Sequence, residues 1–69
     1  RALKIAGAKY MIISLWQVPD KETSTFMVTF YQNLIYSNKD IEKAFHKTQQ
    51  EMRERFINPY QWAGFVLIK

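Results

Sequence analysis

Residues 10–16 read Tyr10-Met11-Ile12-Ile13-Ser14-Leu15-Trp16, and Gln17, Val18, Pro19 and Asp20 follow directly. The run is apolar except for Ser14, rich in β-branched and aromatic side chains, and too short for a helix of ordinary length. It predicts a strand buried on both faces, the pattern of a parallel sheet covered by helices. Pro19 ends the strand. Asp20 is placed to accept a backbone N–H at the start of a helix, and Glu22 in the first turn suits the positive end of the helix dipole.

Working outward, residues 21–36 place Phe26, Met27, Phe30, Tyr31, Leu34 and Ile35 at three- and four-residue spacing, one wide helical stripe. Ser37 and Asn38 interrupt. A second helix is predicted to about Arg55, with Ile41, Ala44, Phe45, Thr48, Met52 and Phe56 on one side. Its other side carries Glu42, Lys43, His46, Lys47, Gln50, Glu51 and Glu54, with Glu51 preceding Arg55 in the favourable order. Asn58-Pro59 signals a turn. The last apolar run, residues 60–68, predicts another buried or interface strand. Upstream, residues 1–6 read as the last turns of a helix, with Gly7 where a left-handed C-cap residue is wanted. The predicted order is helix end, strand, helix, helix, strand. No internal repeat is visible.

The chain has 69 residues, ten Lys/Arg, six Asp/Glu, a single His and no Cys. Without cysteine, disulfides, thiolate metal sites and a cysteine nucleophile are excluded from the chain itself. The basic residues are scattered and interleaved with Glu, so the net charge of +4 reads as solvated helix faces and no nucleic-acid partner is expected. No apolar run approaches the about 20 residues of a membrane helix and no signal segment is visible, so no membrane partner is expected and the expected location is cytoplasmic. No metal or cofactor is expected: the carboxylates sit at helix starts or in charge pairs, and two glycines, Gly7 and Gly64, make no phosphate-binding loop. His46 lies on a polar helix side with no nucleophile near it in sequence, and reads as a solvated histidine.

The candidate site is the end of the first strand: Ser14, Trp16, Gln17, Val18 and Asp20. In open α/β sheets, ligands bind beyond the carboxyl ends of the strands. Two readings stand side by side, a pocket wall, or Trp16 packed under the next helix with Asp20 as its cap. Tyr60 and Trp62 are open between core, sheet-edge interface and ligand contact. Two strands under two helices leave a hydrogen-bonding edge and a sheet face open, so the isolated chain is expected to need neighbours. It starts without Met and midway through a helical pattern, which reads as a piece of a longer protein.

Several residues together resemble a known family. Ala6-Gly7-Ala8, Ser14-Leu15-Trp16 with Val18 and Asp20, Thr23, Met27, Phe30-Tyr31 with Leu34, Ala44, Gln49 with Met52, and Pro59-Tyr60 with Trp62-Ala63 and Phe65-Val66-Leu67-Ile68 are similar to the C-terminal part of CHAT domains, caspase-like domains attached to tetratricopeptide repeats. The likeness runs over nearly the whole chain. Asn58, Gly64, Phe45 and Lys69 depart from the common His, Ala, Leu and Gly. The resemblance implies an α/β fold, the C-terminal portion of a caspase-like three-layer sandwich, with residues 1–69 a fragment of one domain. It implies a non-catalytic segment of a cysteine peptidase that supplies sheet, core and part of the substrate-cleft wall, or else part of an inactive scaffold or protein-interaction domain. The family's catalytic His and Cys fall before Arg1, so the chain alone is not an enzyme and neither role passes to a residue here. Expected partners are the rest of the parent domain, its protein or peptide substrate, and a second copy meeting the last strand at Tyr60, Trp62, Phe65 and Leu67.

Overall fold

The computed structural model describes residues 2–5 and 9–69. Strand β1 (Ala2–Lys4) and strand β2 (Met11–Ser14) precede helix α1 (Asp20–Tyr36) and helix α2 (Ile41–Arg55). A single 3-10 turn (Pro59–Gln61) then leads into strand β3 (Phe65–Ile68). The sheet has the order β1-β2-β3 and both pairings are antiparallel. The molecule is mixed α and β, as expected.

Two expectations are corrected. Ala2–Lys4 is a strand and not a helix end, because its backbone pairs with β2 from Ala2 opposite Ile13 to Lys4 opposite Met11. Ala, Leu and Lys favour a helix, but that preference is weak beside a ladder and a core contact. Gly7, expected as a C-cap, lies outside the described residues. The sheet is also not parallel. β2 is apolar on both faces for another reason: one face packs on the helices, and the other is itself an apolar surface.

Cross-strand partners share a face, so the register sorts the side chains. Leu3, Ile12 and Leu67 stand in one row, with Phe65 on the same side, and this side meets the core formed with Phe26, Phe30, Ala44, Phe45 and Met52. The Phe26 ring stacks on Phe65 at 4.3 Å between centroids and meets Phe45 edge-on at 5.7 Å. The opposite side carries Met11, Ile13, Val66 and Ile68, none of which belongs to the core cluster or packs against it. Leu15 continues this outer row and is 62% exposed.

The helices form where their ends are fixed. Pro19 is the N-cap of α1, with φ −54° and ψ 148°, and contributes no side-chain cap, so the cap role expected for Asp20 is corrected: Asp20 is the first helical residue. It and Glu22 occupy the first turn, where the dipole favours carboxylates. The stripe on α1 is narrower than predicted. Phe26 and Phe30 are fully buried and Met27 and Leu34 half-buried, but Ile35 is 78% exposed and Tyr31 lies on the solvent side. Asn33 takes the inward place, donating from Nδ2 to Thr48 Oγ1 (3.1 Å) and to Glu51 Oε1 (2.6 Å) across the helix pair.

Between the helices the chain reverses through Asn38 (φ 55°) and Lys39 (φ 65°), left-handed positions that two non-glycine residues hold. The Lys39 N–H donates to the Leu34 carbonyl, and the Ser37 hydroxyl donates to the Asn33 carbonyl. Asp40 caps α2 by accepting from the Lys43 N–H at 3.1 Å. Asp40→Ala should therefore cost about 0.5–2 kcal/mol, read from the denaturant midpoint, with Asp40→Asn nearly neutral. α2 turns Ala44, Phe45, Thr48 and Met52 inward, the side read from the sequence.

Candidate functional site

β2 ends at Ser14, which pairs with Phe65, and the ladder continues one step through the Leu15 N–H to the Gly64 carbonyl at 2.8 Å. Beyond that point the chain turns over the sheet end, and two aromatic residues lock it. The indole N–H of Trp16 donates to the Tyr60 carbonyl (2.8 Å), and the Tyr60 hydroxyl donates back to the Gln17 carbonyl (2.9 Å). Their rings stack at 5.6 Å with 14° between planes. Tyr60 is presented by the 3-10 turn, whose cap Asn58 accepts from the Tyr60 N–H at 3.0 Å. Two reciprocal bonds and a stacked pair thus join segments 44 positions apart.

Gly64 lets this clasp close. A Cβ there would stand 2.8 Å from Cε2 of Trp16 and 3.0 Å from two further ring atoms, closer than carbon atoms approach. The alanine common in the resembling family would require the indole to sit elsewhere. Gly64→Ala should cost about 1–3 kcal/mol as overpacking and should shift Trp16 fluorescence by opening the stack. An unchanged emission spectrum and midpoint would contradict the geometry.

The locked turn leaves a hollow of about 460 Å³ at the end of β2. All five residues singled out from the sequence, Ser14, Trp16, Gln17, Val18 and Asp20, line it, joined by Leu15 and Thr23. A second hollow of about 350 Å³ shares Gln17, Val18 and Asp20 with it and adds Pro19 and Tyr60. Val18 is also buried in the core, and Trp16 packs against it, so structural and surface duties coincide in these side chains. The Thr23 hydroxyl donates to the Val18 carbonyl at 3.4 Å.

The second expected set is not brought together. Phe65 is fully buried against Phe26, and Leu67 is half-buried on the same inner side. Tyr60 stands on the 3-10 turn against Trp16, and Trp62 is half-buried after that turn. Residues 60–64 are turn and not strand, because the Trp62 and Ala63 N–H groups bond back to the Pro59 carbonyl. β3 is an edge strand of the sheet, and what it offers outward is backbone. Tyr60 belongs to the site at the end of β2, a placement its sequence position did not reveal; the Asn58-Pro59 turn was the available signal.

Chemically, the hollow offers the hydroxyls of Ser14 and Thr23, the amide of Gln17, the carboxylate of Asp20 and an aromatic wall. The single histidine, His46, is exposed on α2 and lines a different groove. Among the described residues no three His, Cys, Asp or Glu side chains gather as metal ligands. Among them no helix is long and apolar enough to cross a membrane. Lys69 binds Glu42 in an exposed ion pair, and the hydrogen bond and charge of Glu42 raise the lysine pKa.

Comparison with known proteins adds to this geometry. The family described as "CHAT domain" matches residues 1–69. Human Tetratricopeptide repeat protein 28 is 35% identical over 71 aligned positions, covering 99% of this chain and 3% of that protein. Its mouse counterpart is 34% identical with the same coverage. The chain thus spans about 3% of the length of the curated relatives it matches. No solved structure matches it.

Proposed function

Because this chain belongs to the CHAT domain family, we propose that it is a non-catalytic C-terminal segment of a caspase-like cysteine peptidase. In this reading it supplies sheet, core and one wall of the substrate cleft, while the nucleophile and its base come from elsewhere in the parent protein. The observation that carries it is the hollow at the end of β2, lined by Ser14, Trp16, Gln17, Val18 and Asp20 and held in shape by Tyr60. Concave hollows walled by an aromatic side chain with a few convergent polar groups are the usual places for ligands to bind. The uncovered apolar row Met11, Ile13, Val66 and Ile68 supports the rest: it is a face built to take another layer. We place the remainder of the domain there, a peptide substrate in the hollow, contact with a second copy along the outer edge of β3, and the whole in the cytoplasm.

The test uses the parent protein and a peptidyl electrophile directed at active-site cysteines. Labelling of one cysteine is expected, with Trp16→Ala slowing it at least about tenfold while the unfolding transition persists. No labelling of the unsubstituted protein would defeat the peptidase and leave a scaffold with the same fold. Labelling indifferent to Trp16→Ala would keep the peptidase and remove the cleft wall.

A further inference from the structure

One surface of α2 holds polar groups that the fold does not use. His46, Gln50 and Arg53 follow at four- and three-residue spacing on one helix side and line a groove of about 270 Å³ with Gln49, Trp62 and Ala63. None of the three makes an ion pair or side-chain hydrogen bond among the described residues, and no acidic side chain lines the groove. Gln49 is occupied, its amide donating to the Phe65 carbonyl at 3.3 Å. Trp62 at the groove has its indole N–H buried with no acceptor, the one such side-chain atom among the described residues. Buried donors are normally paired, so this N–H is a polar group that the described residues leave unsatisfied beside the groove.

We propose that this groove binds the carboxylate of an acidic peptide segment. Arg53 presents a planar fork that matches a carboxylate in two parallel bonds, and it is the one permanently charged group in the groove. A single fixed charge matches a monoanion better than a doubly charged phosphate. Gln50 adds an amide donor, and the imidazole of His46 has a donor in either protonation state. The Trp62 ring and Ala63 give the methylenes of a glutamate side chain an apolar surface. The groove shares no lining residue with the hollow at the end of β2, so the proposal stands independently of peptidase activity.

The experiment is fluorescence anisotropy of the parent protein with a dye-labelled acetyl-tetraglutamate amide, competed with inorganic phosphate and with tetralysine. Binding is expected to weaken about tenfold in Arg53→Ala and to be abolished in Gln50→Glu, which puts a carboxylate in the groove. Lys47→Ala, a cation on the same helix outside the groove, should change it less than about twofold. Thermal unfolding of each variant establishes that it is folded. No binding of tetraglutamate, equal weakening by Lys47→Ala, or displacement by phosphate at equal concentration would overturn the proposal.

Discussion

Phe26→Ala is expected to lower the stability of the domain by about 3–5 kcal/mol, enough to unfold a marginal protein at physiological temperature. The ring is fully buried and joins three elements, stacking on Phe65 of β3 at 4.3 Å and meeting Phe45 of α2 at 5.7 Å. Truncation opens a cavity bounded by aromatic rings that cannot collapse into it without moving the sheet. Phe26→Leu keeps most of the volume and should cost markedly less. Equilibrium denaturation of the parent protein reads both, and equal midpoints for the two variants would show that the ring is not the centre of the core.

The second large effect concerns the outer face of the sheet. If the remainder of the parent protein covers this face as proposed, Val66→Glu is expected to cost about 3 kcal/mol or more there, because Val66 stands beside Ile13 in the outer row and a carboxylate under that layer would be buried without a partner. At a position open to water the same change would stay within about 0.5 kcal/mol. Ile57, 98% exposed, supplies that control through Ile57→Glu. The residue's own neighbours do not decide between the outcomes, since Val66 packs against none of the core cluster.

The helices were legible because their signals are local. The apolar positions of α2 repeat at helical spacing, and the Ser37-Asn38 break places the connection correctly. The outward turn of Tyr31 and Ile35 was not legible, because the competing inward residue is Asn33, whose burial depends on Thr48 and Glu51 in another helix. Tertiary pairing likewise decided β1: three residues with helical preference become a strand only because β2 lies alongside. The direction of the sheet was hidden because an apolar run on both faces is common to a covered parallel strand and to an antiparallel strand whose outer face is itself apolar. Residues 60–64 are as apolar as a strand, and only backbone bonds to Pro59 mark them as turn.

The site followed the same division. Ser14, Trp16, Gln17, Val18 and Asp20 are near one another in the chain, so a strand end was enough to group them. Tyr60 and Gly64 complete the arrangement from the far end of the sequence, through a hydrogen-bonded stack and a missing Cβ, and no spacing announces either. The free donors of α2 were visible as a polar helix side, but their convergence on Trp62 needed the fold.

The central claim is that the row Met11, Ile13, Val66 and Ile68 lies beneath a further layer of protein. Hydroxyl-radical footprinting of the parent protein, read residue by residue by mass spectrometry, addresses it without any substitution. The account predicts that Met11 and Ile13 are protected to the level of buried Ile12, while Ile57 is modified freely. Modification of Met11 and Ile13 at rates matching their exposure in the isolated fold would contradict it.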